Sequence, residues 1–369
     1  MVKCGIVNTN RKEDIIMSDI IFSKGGSAYI ASKIDEAVKN ESRIATISGN
    51  WEIESAVAIP SDFTLVLEDC HLRMADGSYS NMFINANQLS ELGRLRECTD
   101  KNITIEGRGK VILDGGKYNG LCEGNSLKNG MPPIWKNNLL LFVNVDGFRV
   151  TGIACHNQRW WALNFIYCSN GYIGNIEFKA NDTAIDENGN VYHGLKRSKY
   201  MDVLVKNADG IDIRQGCHDI VIENIAGFTE DDTIALTALN GRLERAYKVE
   251  GLPSDLCNIE IRNVTSAAYC TGVRLLNQGD LKLHDILIDG VRDVSRHSEY
   301  TDGGIYAVRV GDTRMYGKRH ATADETYNIA IKNVYGEGEA AVALAGQMAN
   351  VTMENITSAE GTPILLDER

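Results

Sequence analysis

Residues 217–225 read CHDIVIENI, a small polar turn followed by apolar residues at alternate positions and then Asn224 before an isoleucine. Alternation over four to six residues predicts a half-buried β-strand. The same pattern recurs along the chain as KNITIEG (101–107), DGFRVTGI (146–153), SNGYIGNIEF (169–178), CNIEIRNV (257–264), HDILIDGV (284–291), YNIAIKNV (327–334) and ANVTMENI (349–356). One structural unit is therefore repeated over most of the sequence.

The spacing of these repeats predicts a solenoid. The closing Asn or Gly recurs after 23 residues between Gly152 and Asn175 and after 22 between Asn333 and Asn355. Longer intervals, up to 49 residues, indicate either one coil with an inserted loop or two coils with one unrecognised repeat. Because no helix-period stretch interrupts the pattern after about residue 50, we expect an all-β fold, a single right-handed parallel β-helix over residues 21–369.

The beginning of the chain is expected to differ from the repeats. In residues 27–40, Ile30, Ile34 and Val38 fall on one helical face. This predicts a short helix that caps the open N-terminal end of the solenoid. Residues 1–20 lack the apolar core of a secretory signal. We expect them to be a leader without ordered structure, with Met17 as an alternative translation start.

Composition limits the classes of partner. The net charge of −12 argues against nucleic acid, whose phosphates require a clustered basic surface, and no stretch approaches the roughly 20 apolar residues of a membrane-spanning helix. Nine cysteines without a CxxC pair favour reduced thiols over a disulfide framework or a zinc site. We therefore expect a cytoplasmic protein without cofactor or metal; an oligomer stays open.

Acidic residues flank the repeat at 217–225. Asp209 and Asp212 precede it, and Asp231 and Asp232 follow it. Asp209 and Asp231 are 22 residues apart, about one coil, and successive coils stack at roughly 4.8 Å. We therefore expect a patch of at least three carboxylates that raise one another's pKa values.

Such a patch suits the hydrolysis of a glycosidic bond. One carboxyl group must stay protonated to donate to the leaving oxygen, while an ionised one activates water. In inverting enzymes the two are roughly 6.5–9.5 Å apart, which residues one coil apart and slightly offset can satisfy. The alternatives are a calcium site, which would require more oxygen ligands from a loop, and a solvated acidic ladder without chemistry.

The acidic segment also resembles a known family. NADGID (207–212) followed by DDTIAL (231–236) resembles the N-T-D-G-x-D and G-D-D-C-I-A-I motifs of polygalacturonases, the family 28 glycoside hydrolases. Three upstream stretches resemble further motifs of this family in the same order: NITIEGRGKVILDGG (102–116), PIWKNNLLLFVNVDGFRVTGI (133–153) and HNQRWWALNFIYCSN (156–170). The resemblance covers residues 101–239.

This resemblance implies an inverting glycoside hydrolase. Asp231 would be the general acid, and Asp209 and Asp232 would position and deprotonate the attacking water. For Asp212 the resemblance implies a structural role as readily as a catalytic one.

Downstream, the chain departs from the family pattern. The family carries a G-H-G-x-S-I-G coil whose histidine supports the acid, and here Tyr269 or Cys270 stands at that position. The later R-I-K that grips the substrate carboxylate is missing, and Arg274 and Arg309 are the similar basic residues on strands. Each could bind an anionic sugar or form a structural ion pair. The departures put galacturonan in question more than the glycosidic chemistry.

Two predicted loops, residues 181–202 and 238–256, flank the acidic motifs and are expected to wall the cleft. A walled cleft suits an exo-acting enzyme on short plant-type oligosaccharides that contain uronic or other sugars. His193 in the first loop could reach the site or lie in solvent. Trp160 and Trp161 precede the acids by one coil and could offer a stacking platform, but strand alternation would send them to opposite faces.

Other functions stay open at this point. A transglycosidase or fructotransferase could use the same fold and paired acids, whereas a carbohydrate-binding or adhesive β-helix would need no chemistry at all. A lyase fits less well because it would require a base or calcium near the acids. The candidate substrate-binding residues are Asp212, Arg274, Trp160, Tyr269, His193 and Arg309.

Overall fold

The computed structural model describes residues 20–117, 136–180, 184–185, 190–192, 209–298, 301, 303–311 and 319–367. Residues 1–19, most of the expected leader, and His193 lie outside this part of the chain. The described α-helices are α1 (Gly26–Lys39) and α2 (Arg242–Ala246), and short 3-10 helices span Ala86–Leu89, Glu91–Arg94, Arg96–Cys98 and Ser295–His297. None of the described helices has the length and apolar character needed to cross a membrane.

The remaining regular structure is β. The strands are β1 (Ile44–Ile53), β2 (Val57–Ile59), β3 (Phe63–Met74), β4 (Phe83–Asn85), β5 (Asp100–Asp114), β6 (Asn138–His156), β7 (Trp161–Lys179), β8 (Ala184–Ile185), β9 (Val191–Tyr192), β10 (Asp209–Arg214), β11 (His218–Phe228), β12 (Ile234–Ala238), β13 (Leu256–Ser266), β14 (Thr271–Asn277), β15 (Leu283–Asp293), β16 (Tyr306–Val310), β17 (Thr326–Gly336), β18 (Ala340–Ala345), β19 (Ala349–Ser358) and β20 (Thr362–Asp367).

The strands form two parallel stacks that wind around one core. The first stack runs β1, β3, β5, β6, β7, β11, β13, β15, β17 and β19. The second stack runs β2, β4, β6, β7, β10, β12, β14, β16, β18 and β20. The long strands β6 and β7 contribute to both, and β8 and β9 form a separate antiparallel pair. This parallel solenoid confirms the predicted fold class.

All eight sequence repeats lie in the first stack. Their alternating residues fill the core, as Ile220, Ile222 and Ile225 show with exposures of 1% or less. The long intervals are single coils with insertions, because β11 pairs directly with both β7 and β13. The first stack therefore continues without interruption across these intervals, and the acidic motifs lie on strands of the second stack.

The closing Asn of each repeat has a backbone reason. Asn175, Asn224 and Asn263 adopt left-handed conformations with φ between 51° and 58°, a region that Asn tolerates better than most residues. Their side chains form a ladder along the solenoid, since Asn263 Nδ2 donates to Asn224 Oδ1 at 2.7 Å and Asn224 Nδ2 donates to Asn175 Oδ1 at 3.2 Å. Turn conformation and side-chain bonding thus select the same residue.

Helix α1 covers the N-terminal end of the core. Ile30 and Ile34 are buried against the first coils, while Val38 is partly buried there. The backbone N–H groups of Glu54 and Ser55 both donate to Ser27 Oγ at 3.0 Å and hold the start of the helix. The apolar face of α1 therefore replaces the missing preceding coil.

Candidate active site

The carboxylates Asp209, Asp231 and Asp232 meet where two neighbouring strands of the second stack begin. Asp209 opens β10, and the other two lie two and three residues before the start of β12, which pairs in register with β10. The Asp232 backbone N–H donates to Asp209 Oδ1 at 3.0 Å. One oxygen of each carboxylate lies within 4.8 Å of the others. The structure therefore brings the three together across one coil spacing, in a tighter group than the roughly 6.5–9.5 Å of a typical inverting pair.

Burial and mutual repulsion raise the pKa values of this cluster. Desolvation, followed by the charges of Asp212 and Asp231, raises the pKa of Asp209 well above its ordinary value. Desolvation and the neighbouring Asp231 charge raise the pKa of Asp232 to about 7. Because the groups titrate as a set, the cluster retains protons at a pH where isolated carboxyl groups would be ionised. The site can therefore present a proton donor and a carboxylate side by side.

The next coil supplies polar groups to two of the acids. The Cys270 backbone N–H donates to the Asp231 carbonyl at 3.4 Å, and the Cys270 thiol interacts with the Asp231 carboxylate. Burial, followed by the charges of Asp231 and Asp232, raises the pKa of this thiol, so it stays a neutral S–H donor. The Thr271 side chain interacts with the Asp232 carboxylate and opposes the rise in its pKa. Cys270 thus interacts with the carboxylate that resembles the family acid, and the neighbouring Tyr269 is 39% exposed.

Arg274 and Arg309 lie on one row of the second stack. Register pairing places Asp212, Ala235, Arg274 and Arg309 at equivalent positions on four successive coils. At roughly 4.8 Å per coil, Arg274 is about 10 Å from Asp212 along the stack. The positive charge of Arg274 opposes the rise in the pKa of Asp232. The face that carries the acids therefore becomes cationic toward the C-terminal coils.

Asp212 belongs to a chain of bonds with Arg214 and Glu244, neither of which was predicted from the sequence. Its carboxylate, fully buried, accepts a bond from Arg214 Nη2 at 2.7 Å, and Arg214 Nη1 donates to Glu244 Oε1 at 2.8 Å. Desolvation raises the pKa of Asp212 to about 6, against the lowering effect of the Arg214 charge. The two-residue spacing of Asp212 and Arg214 could have indicated a shared strand face. Nothing in the sequence pattern could place Glu244 beside them.

The two tryptophans lie against the same apolar cluster, which corrects the expectation that they face opposite ways. Trp161 is 9% exposed within a cluster that includes Leu141 and Ile166, and the half-buried Trp160 packs against it. Their ring centroids are 6.0 Å apart. Strand alternation does not relate the two rings because β7 begins at Trp161 and Trp160 precedes it. The Arg214 guanidinium covers the Trp161 ring, 4.2 Å from its centroid. The half-buried Trp160 is therefore the more accessible of the two rings.

The second predicted loop forms a fixed wall of this face. It contains α2, and Leu243 and Val249 are buried in the apolar cluster around Trp161. Farther along, Arg96 N donates to Glu250 O at 3.2 Å and Glu250 N donates to Arg94 O at 2.9 Å, which ties the loop to an earlier coil. Of the first loop the structure describes only residues 184–185 and 190–192, where β8 and β9 pair.

The geometry fits acid–base chemistry better than metal binding. A calcium ion takes six to eight oxygen ligands, and among the described residues the cluster gathers three carboxylates at close range. Two of these carboxyl groups have raised pKa values, an arrangement that often marks a site of proton transfer. The arrangement can donate a proton to a leaving oxygen and accept one from water.

Comparison with known proteins gives three kinds of result. The sequence pattern of the glycosyl hydrolases family 28 matches residues 75–291. No curated protein sequence matches the chain. Among solved structures, the chain is similar to the tailspike protein of E. coli bacteriophage HK620 in complex with a pentasaccharide, at 14% identity and a TM-score of 0.58, covering 92% of this chain and 61% of the tailspike chain.

Two similar structures are enzymes by their descriptions. A hyperthermoactive exopolygalacturonase from Thermotoga maritima is 14% identical, with a TM-score of 0.53 and coverage of 94% of this chain and 88% of that one. A polygalacturonase from Erwinia carotovora is 13% identical, with a TM-score of 0.51 and coverage of 95% and 94%. At these identities the likeness supports the parallel β-helix fold alone.

Proposed function

Because the chain belongs to the glycosyl hydrolases family 28, it is a glycoside hydrolase, and we propose that it cleaves plant-type oligosaccharides with inversion at the anomeric carbon. The observation that carries this proposal is the cluster of Asp209, Asp231 and Asp232 within 4.8 Å, with raised pKa values for two of its members. Such a cluster combines a proton donor with a base for water.

In the proposed mechanism Asp231 donates a proton to the leaving glycosidic oxygen. Asp209 and Asp232 hold the attacking water between them and accept its proton. The backbone bond from Asp232 to Asp209 fixes these two groups relative to each other. The Cys270 thiol interacts with the Asp231 carboxylate, and in this proposal it takes the place that a histidine occupies in the family pattern. The mechanism requires no metal or cofactor.

We further propose that the enzyme acts at chain ends on short substrates. The wall formed by α2 supports this part of the proposal, since a closed flank favours a terminal sugar over the middle of a long polymer. Trp160 and Tyr269 are proposed to line the substrate path. Asp212, predicted to bind substrate, is instead fully buried against Arg214, and we propose a supporting role for it. His193 stays a prediction from the sequence. A cytoplasmic location stays a prediction from the cysteine content. The uronic-acid-containing sugar also stays a prediction.

The stereochemistry of the product tests the mechanism. The purified protein is incubated with pectic, fructan and other plant oligosaccharides, and the first-formed anomer is followed by ¹H NMR. We expect one substrate class to yield the inverted anomer. Retention would contradict the assignment of Asp209 and Asp232 to water, and it would match the close carboxylate spacing of retaining enzymes. Unsaturated products would indicate a lyase, and transfer to a second sugar would indicate a transglycosidase.

Arg274 and Arg309 are proposed to bind an anionic group of the substrate. Replacing Arg274 with glutamine should raise KM for an oligosaccharide with a uronic acid by roughly 10–100-fold, since a charged bidentate bond contributes about 1.5–3 kcal/mol. KM for a matched neutral oligosaccharide should change little. Michaelis parameters for both substrates measure this difference. An equal loss on both would contradict a role in charge recognition and favour a structural ion pair.

A further inference from the structure

Arg214 makes three contacts that converge from different parts of the fold. It bonds Asp212 on its own strand at 2.7 Å and Glu244 on α2 at 2.8 Å, and its guanidinium lies 4.2 Å from the ring centroid of Trp161 on the preceding coil. All four side chains are buried or nearly so. A planar guanidinium with five donors suits this arrangement, because two carboxylates and an aromatic face can be served at once.

Arg214 supplies the positive charge between two buried carboxylates, those of Asp212 and Glu244. Asp212 and Glu244 would be two buried carboxylates without compensation if the guanidinium were removed. The charge of Asp212 is in turn the largest neighbouring contribution to the raised pKa of Asp209. A change at Arg214 therefore affects the pKa of Asp209 indirectly, through the charge of Asp212.

The same bonds anchor the wall of the cleft. Helix α2 has five residues, too few to be stable without tertiary support. Its Glu244 side chain is held by Arg214, and its Glu244 carbonyl accepts a bond from Gln215 Nε2 at 2.8 Å. Leu243, next to Glu244, is buried in the apolar cluster around Trp161. Two adjacent residues at the end of β10, Arg214 and Gln215, thus hold Glu244 of the insertion.

We propose that Arg214 is a positioning residue that couples the insertion to the catalytic cluster. It holds α2 as a fixed wall through Glu244, and it keeps Asp212 ionised and oriented toward Asp209. This inference rests on the proposed function for its catalytic part, whereas the anchoring of the insertion stands on the geometry alone. Arg214 itself does not touch the reacting atoms.

The charged groups that face Asp212 determine the direction of the expected pH effects. Asp209 and Arg214 lie on its own strand, Asp231 and Asp232 come from the following coil, and Glu244 comes from α2. Removing the positive charge of Arg214 raises the proton affinity of the cluster, while removing the negative charge of Glu244 lowers it. The two variants should therefore move the acid limb of the pH–rate profile in opposite directions.

The experiment compares Arg214→Met, Arg214→Lys and Glu244→Gln with wild type, and uses Arg245→Met as the matched control. Arg245 lies on the same helix but is exposed, and it bonds the Asn240 carbonyl. Two quantities are measured for each protein: the pH dependence of kcat/KM, and hydrogen–deuterium exchange of the peptide covering residues 241–250. The exchange measurement does not depend on activity.

We expect the acid limb to move up by about 0.5–1 pH unit in Arg214→Met and down by a similar amount in Glu244→Gln. Arg214→Lys keeps the charge but loses the planar fork, so its limb should stay near that of wild type. Exchange over residues 241–250 should accelerate about tenfold in all three variants and stay unchanged in Arg245→Met. If Arg214→Met does not fold, the lysine and Glu244 variants decide the outcome.

Unchanged exchange in these variants would overturn the anchoring, and limb shifts in the same direction, or none, would overturn the coupling. Both results leave glycoside hydrolysis intact. If instead the wild-type protein hydrolyses no oligosaccharide while exchange responds as expected, the proposed function fails and the anchoring stands.

Discussion

Replacing Asp231 with asparagine should lower kcat by at least about 10³-fold while leaving the dissociation constant for the oligosaccharide within about threefold of wild type. Asparagine has nearly the shape of the acid but carries no proton to give, so bond cleavage loses its general acid. The amide retains a carbonyl oxygen that can accept from Cys270. Turnover by reducing-end assay and affinity by isothermal titration calorimetry measure the two effects separately.

A control separates this loss from a general effect of removing a carboxylate. Asp35→Asn lies on the exposed face of α1, far along the chain from the cluster, and should leave both quantities unchanged. Unchanged turnover in Asp231→Asn would contradict the assignment of the general acid. Sugar binding without turnover in both the wild type and the variant would instead favour a carbohydrate-binding β-helix.

Replacing Asp232 with asparagine should remove activity and stabilise the protein above neutral pH. The folded-state pKa of Asp232 is about 7, above the ordinary value near 3.9 of an unfolded chain. The folded state thus binds the proton more tightly, and stability falls as pH rises from about 4 to 7. Asparagine removes that cost, so the variant should be more stable by about 1–3 kcal/mol at pH 8, and the difference should vanish near pH 4.

Urea unfolding at pH 4, 6 and 8 measures this effect. Asp285→Asn is the matched control of opposite sign, because hydrogen bonds from Asn328 and His284 lower the pKa of Asp285. Its carboxylate contributes stability above the unfolded-state pKa, and this contribution is lost as pH falls, so Asp285→Asn should destabilise the protein slightly at pH 8. Equal stabilities of wild type and Asp232→Asn at pH 8 would show that burial of this carboxylate carries no cost.

A catalytic cluster of this kind explains why activity and stability should oppose each other here. Asp209 and Asp232 are half-buried near other carboxylates at a cost in folding free energy. The core offsets this cost, since the apolar positions of each coil are almost fully buried. The repetitive scaffold therefore tolerates an electrostatically unfavourable cluster on one face and keeps its fold.

The sequence was sufficient for the winding of the chain and for the meeting of the acids. Strand alternation has a period of two and coils repeat near 22 residues, so the partner of Asp209 could be found by counting. The closing Asn residues carry their own explanation, because Asn224 satisfies both a left-handed backbone and a side-chain ladder. Local and periodic contacts of this kind can be predicted from residue spacing alone.

Tertiary structure alone decided the surroundings of the acids. Glu244 approaches the site from an insertion, where chain spacing no longer measures distance, and the packing of Trp160 and Trp161 against one cluster depends on the bend before β7. The contact of Arg214 with Glu244 joins a strand to a five-residue helix whose position depends on packing of Leu243 rather than on its own propensity. A periodic core can be read from sequence because each coil repeats the last, whereas an insertion docks once, through contacts that no other coil repeats.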